Sequence, residues 1–515
     1  MTNLFPSRML LAALTLLTLL ITLNSTCDNQ PAQTGKFDFP QVLTPDIPAD
    51  IGDLTGMSFD EKQRMFDILS WQSFVAVNWP VSHNGKLLAK LSDNGMPAWT
   101  TYKESMEIFK EDGSAPSSWG NDRDIDAIIS GGSIGQDAGK RTNRLLLSHN
   151  KHSGRIADES NQAFSGDIWD QNGNLVMYEV VVNKEEFEFI DSFKLYNVNG
   201  QIEFSRKGKP LVFPEGIYNT ETIGAIEIKV SWKILDTITD IASRYLTMDG
   251  YIPDPKDYTV NDTSCIVTFP KNPKFVKVKL GMVGMHIAHK TKSSPQWIWS
   301  TFEHVDNLTA DPLVTGKTLN GTTVNLAPSF YNPDCIDCLP NTCPNIVGGK
   351  RKSQLMRAIP IPGDKRDLNN QASRTLANLN SALQYYQLID TQWPVKPKKA
   401  PTPPNNGVAS VTNKAGGDVA PVMLTNITME SYFQTGVQMA YGREEDAGKM
   451  YPGNHSDSTL IFATESCVGC HYSAPVAIGY SPNLNGLATQ TVKYGPPQSA
   501  DFSWLLKKAS PVKIK

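Results

Sequence analysis

The chain lacks any excess of charge of one sign: 48 lysines and arginines stand against 52 aspartates and glutamates in 515 residues, with no block of like charge. That balance argues against a nucleic-acid partner, which would call for a basic footprint. Long apolar runs are missing beyond the first thirty residues, and a mean hydropathy of −0.30 argues against a polytopic membrane protein. Catalytic signatures are missing too. There is no G-x-S-x-G elbow, no H-E-x-x-H pair and no glycine-rich phosphate loop, so a hydrolase or nucleotide enzyme has no support. No internal repeat of convincing period is present. With 40% hydrophobic and 9% aromatic residues, a disordered chain is excluded. What remains is a globular body with room for about two to four domains at roughly 150 residues each.

The one long apolar run, Met9 to Leu23, follows Arg8 and carries no charge. It matches the core of an export signal better than the roughly 20 residues of a membrane span. Residues 1–27 are therefore expected to be a signal peptide or membrane anchor, with the protein in the periplasm or at the cell envelope. Leu-Asn-Ser-Thr-Cys, ending at Cys27, resembles a bacterial lipoprotein box but departs from it at Asn24 and Thr26. Lipid attachment at Cys27 and a cysteine that merely follows the signal both stay open.

Seven cysteines are few for this length, and export changes how the other six are read, because an oxidising compartment favours disulfides. Cys265, Cys335, Cys338 and Cys343 lie mid-chain. The spacing of the last three could hold zinc with a fourth ligand from afar. Two disulfides are the simpler expectation, with three connectivities open and Cys265 in one of the pairs.

The segment between the signal and these cysteines reads as a mixture of helix and strand. Phe59 to Val77 spaces Met65, Phe66, Leu69, Phe74 and Val77 at helical intervals before Asn78-Trp79-Pro80. Leu175–Val182, Ala225–Leu235, Phe275–Thr291 and Trp297–Val305 alternate and are rich in β-branched and aromatic residues, which predicts long antiparallel strands in a sheet or sandwich. Gln371 to Ile389 returns to a helical period, and Pro394 to Asn406 is proline-rich.

Cys467-Val468-Gly469-Cys470-His471 is the segment that carries chemistry. In a c-type haem site, two thiols three residues apart add to the haem vinyl groups from one short turn, and the histidine that follows is the proximal ligand to the iron. A thioredoxin-type dithiol is the next reading, but it opens a helix in a βαβ context that is missing here. On CVGCH and its setting from Ser458 to Ser473, the chain resembles exported bacterial cytochrome c family proteins with a single haem-binding motif. The resemblance implies one covalent haem c, an iron held by His471, and electron exchange with a redox protein partner; it implies no substrate. The expected fold class is α+β. A mainly antiparallel β body with flanking helices would span 36–393, followed by a linker or loop over 394–420 and a small C-terminal haem c segment over 421–515. WQSFVAVNWP at Trp71–Pro80 and GMVGMHIAHK at Gly281–Lys290 look like signature stretches of the body with no activity attached.

Small cytochromes c take their second axial ligand from a methionine downstream of the motif, yet no methionine or histidine follows Tyr472. The upstream candidates are Met423, Met429, Met439, Met450 and His455, and more distantly Met282, Met285, His286 and His289. If Val276–Thr291 were a regular strand, Met282 and His286 would share one face and Met285 and His289 the other; a bulge at Gly281 or Gly284 would reset this. Two functions follow. One is a carrier in one-electron transfer. The alternative is a haem enzyme of peroxidase or oxygenase type with an open distal site in the large body.

Overall fold

The structure is a computed structural model that describes residues 35, 37–129, 134–147, 167–261, 266–270, 272–341, 344–357, 360–398, 419–420, 424–431, 467–472, 474–481 and 491–513. The expected signal at 1–27 lies outside these residues. Everything below belongs to one unit, Phe39–Lys515.

Helix α1 (Phe59–Val77) starts where a helix should. Ser58 accepts from the Glu61 amide, and Glu61 returns a carboxylate to the Ser58 N–H, a reciprocal capping box. Its inner face, with Trp71, Phe74 and Val77, is fully buried. Nine strands among the described residues form one sheet. In chain order they are β1 (Lys103–Glu104), β2 (Asn143–Leu145), β3 (Met177–Val182), β4 (Ile226–Ile234), β5 (Thr247–Pro253), β6 (Phe275–His289), β7 (Ile298–His304), β8 (Tyr386–Pro394) and β9 (Val419–Ala420). The main path runs β9-β8-β7-β6-β4-β3-β1. β5 pairs with the first half of β6, and β2 lies parallel to β5. All other pairings are antiparallel.

One face of the sheet is covered by α1 and α4 (Gly363–Asn378). Phe74 stacks on Phe302 of β7 at 4.1 Å, and Asn369 of α4 bonds both backbone groups of Leu388 in β8. The other face carries α2 (Lys184–Ser192), α3 (Val198–Arg206), residues 424–431 and the C-terminal segment, packed around Ala288, Trp297, Trp299 and Ile389. The described residues are thus α+β, with one large antiparallel-dominated sheet covered on both faces and several two-stranded hairpins beside it, not a sandwich of two large sheets. Among the described residues no helix is long and apolar enough to cross a membrane.

One expectation is corrected, and one alternative left open by the sequence is decided. The helical period read from Gln371 to Ile389 stops at Asn378, and Tyr386–Ile389 belong to β8. The cause is local: Leu379 caps α4 and Asn380 turns left-handed at φ 54°. Tyr386 and Leu388 then fill the core by alternation. Along β6, a bulge between Met282 and Gly284 breaks the register with β4. Met282 and Met285 consequently face the same core, under α1, and His286 does not share a face with Met282.

Candidate functional site

Cys467–His471 makes one helical turn, α5, so positions 467, 470 and 471 recur along one side of it. The turn is anchored by β8, since the Val468 N–H donates to Gln392 Oε1 at 2.8 Å and the Val468 side chain is fully buried. A helix's first amides have no partner inside the helix, so a side-chain acceptor from the sheet fixes where the turn begins. Cys467 is a thiol, partly exposed, with Sγ 3.7 Å from the Leu424 carbonyl.

His471 is held from two sides. Its ring lies against Trp299 of β7, with centroids 4.4 Å apart, and its Nδ1 is 2.7 Å from the Phe502 carbonyl. A carbonyl only accepts, so Nδ1 carries a proton, and the neutral ring then has its lone pair on Nε2, the tautomer a metal-bound imidazole needs. Beyond the turn, β10 (Ala477–Ser481) and β11 (Thr491–Tyr494) form a small hairpin sheet against α3, where Gln201 accepts from Ala477 N and donates to Leu506 O. Ile478, Tyr480, Val492 and Tyr494 form a half-buried apolar wall in the same cluster as Cys467.

Around the Phe502 carbonyl the interior is unusually acidic. Burial pushes Asp501 up to about 6 against the opposing pull of Lys290. Glu227 and Glu186 lie fully buried beside each other. Burial lifts Glu227 to about 7, and burial together with Glu227 holds Glu186 well above the carboxylate range.

The distal candidates disperse. Met282 and Met285 are core residues on the α1 face, where Asn78 Nδ2 meets Met285 Sδ at 3.7 Å. Met429 packs in a separate cluster with Tyr178 and Val283. His289 is buried with Nε2 2.6 Å from the Ile223 carbonyl, and burial lowers its pKa. His286 alone of the four β6 candidates stands on the face that carries α5. It lies opposite Thr301 and two residues from Ala288, the partner of Trp299. Its Nδ1 meets Thr301 Oγ1 at 2.8 Å and its Nε2 meets both Glu430 oxygens at 3.1 Å. Met423, Met439, Met450 and His455 lie outside the described residues, as do Cys265 and Cys343.

No family model, curated protein or solved structure matches this chain. Among the described residues no group of three or more His, Cys, Asp and Glu is arranged to hold a metal ion. Cys335 and Cys338 stand at disulfide distance, 5.4 Å between Cα atoms, and a bridged pair supplies no thiolates to zinc. Sequence reasoning singled out Cys467, Cys470 and His471 but not the residues that touch this turn or hold its partners, Gln392, Trp299, Phe502 and Asp501. The one available signal was the pair Trp297 and Trp299, whose rings pack in one cluster with centroids 6.1 Å apart, Trp299 in β7 and Trp297 just ahead of it.

Proposed function

We propose that this chain is an exported monohaem c-type cytochrome taking part in one-electron transfer. Cys467 and Cys470 would hold the haem as thioethers and His471 would be the proximal ligand to its iron. The observation that carries the reading is the His471–Phe502 hydrogen bond at 2.7 Å, on a one-turn helix whose first residue is a thiol. Metal-bound histidines characteristically donate their second ring N–H to a carbonyl or carboxylate, which fixes the ring and its tautomer. When bound, the haem supplies an iron centre that gains and loses single electrons.

The chain's own residues do the rest. Gln392 fixes the start of the turn, Phe502 holds Nδ1 of His471 so that Nε2 would be the nitrogen left for the iron, and Trp299 keeps water from one side of the imidazole. The partly buried Ile478, Tyr480, Val492 and Tyr494 would offer a porphyrin apolar surface, whose burial removes it from water. The partner would be another redox protein, met in the periplasm or at the cell envelope, with Cys27 the point of membrane attachment if it is lipidated.

A second reading, a haem enzyme of peroxidase or oxygenase type, has one observation in its favour: His286, Glu430 and Thr301 put an acid–base pair on the face that carries α5. Two measurements test these readings. Made in cells with haem-attachment machinery, the protein should gain the mass of one haem that acidified organic solvent does not extract; a product without it overturns the proposal. Reduced protein that binds no carbon monoxide would support the carrier, and rapid binding would support the enzyme.

A further inference from the structure

The Phe502 carbonyl that accepts from His471 belongs to a turn that ordinary side chains avoid. Gln498, Asp501 and Phe502 have φ of 63°, 49° and 70°. Left-handed backbone is rare for a bulky aromatic residue, and it persists only where the surroundings impose it.

Here three separate parts of the body impose it on Asp501. Lys290, just past the end of β6, places Nζ 2.8 Å from Asp501 Oδ1. The Phe213 amide donates to Oδ2 at 2.8 Å, and the Trp297 indole N–H donates to the Asp501 carbonyl at 3.0 Å. Lys290 is itself immobilised. It is 1% exposed, its amide donates to Ala225 O, its carbonyl accepts from Gly216 N, and its Nζ also donates to Pro295 O. Gly224, at φ 85°, leaves room for that arrangement, because a Cβ there would stand 2.4 Å from the Lys290 carbonyl.

A buried ammonium–carboxylate pair is costly to assemble and is weak evidence for stability in itself. Its position next to a strained residue that touches the proposed iron ligand gives it another use. We infer that Lys290 and Asp501 form a buried clamp that fixes the Phe502 carbonyl, so that the sheet sets the orientation and basicity of His471. This rests on the reading of His471 as proximal ligand. Lys290 and Asp501 are positioning residues: a firm Nδ1–H···O=C bond makes the imidazole more basic and favours the ferric form. Loosening the clamp should weaken that bond and raise the midpoint potential.

The experiment uses the full chain in two forms. In haem-loaded protein, Lys290→Met and Asp501→Asn should each shift the ferric/ferrous equilibrium toward ferrous by at least ten-fold, a 59 mV rise for a one-electron couple. Lys290→Arg, which keeps the charge, should stay close to wild type. Trp297→Phe removes the indole N–H with part of the ring while leaving the Lys290–Asp501 pair in place, and provides a second variant that reads the same clamp if the others fail to fold. In haem-free protein, the His471 Nδ1–H proton, assigned by its loss in His471→Gln, should be protected from exchange in wild type and exposed in Trp297→Phe and Lys290→Met. Folded variants with unchanged potential and unchanged exchange would overturn the clamp. A wild-type chain that acquires no covalent haem would overturn the functional reading instead, and the exchange measurement would still decide the clamp.

Discussion

Gly284→Ala should destabilise the protein by an amount that the contacts around it allow one to estimate. A methyl group built on Gly284 would stand 2.5 Å from Thr428 Oγ1, 2.7 Å from Ser231 Oγ and 2.9 Å from Asn426 Oδ1, all inside van der Waals contact. Those three atoms form a buried network: Ser231 and Thr428 hydroxyls are 2.6 Å apart, and Thr428 donates to Asn426 Oδ1 at 2.7 Å. None of the three residues is exposed, so none can swing into solvent to make room. Forcing one extra carbon into a packed interior costs about 1–3 kcal/mol. Parting the Ser231–Thr428 pair without a replacement adds about 1 kcal/mol. The expected loss is therefore about 2–4 kcal/mol, read from urea unfolding midpoints at constant slope. Ser231→Ala in the same chain removes one of the three obstructing oxygens, so the double variant should cost less than the sum of the singles. A Gly284→Ala protein within about 0.5 kcal/mol of wild type, the range of an ordinary surface change, would refute the packing argument.

Two further outcomes are expected. Relative to wild type, Glu227→Gln should gain stability as pH rises from 4.5 through 7, because folded Glu227 keeps a proton up to about 7 that the unfolded chain releases near 4.5; urea midpoints of the two proteins at pH 5 and pH 8 check this, and a constant difference would refute it. Cys335 and Cys338 should resist alkylation until a reductant is added and should then label together, as peptide mapping would read; labelling of either without reductant would exclude their bridge.

The parts of this protein that were legible in the sequence are those whose causes are local. Helix α1 was readable at both ends because Ser58 and Glu61 sit three residues apart and because Asn78-Trp79-Pro80 closes it. CVGCH stands out in the sequence because its two cysteines and its histidine are neighbours. Its supports were not, since His471 finds its carbonyl 31 residues on and Val468 finds its side-chain acceptor 76 residues back. No spacing rule reaches that far. The face assignment in β6 stayed open in the sequence for a related reason: whether a bulge forms at Gly281 or Gly284 depends on what lies across the strand. Gly284 leaves the space over which Asn426 and Thr428 cross the sheet, and nothing in GMVGMHIAHK announces those two residues.

The covering of the sheet by α1 has a consequence for how the chain is made. The helix is among the first elements to be synthesised, yet its polar and apolar anchors are among the last: Ser70 meets Thr391 across 321 residues and Gln63 meets Asp390 across 327. Until β7 has been synthesised, Trp71 and Phe74 lack Phe302 to pack on, and Phe66 waits for Trp393 of β8, so a nascent chain exposes this helix for most of its elongation. Such distant closure slows folding and leaves time for wrong partners. The protein therefore depends on being kept apart from its neighbours until its last third arrives.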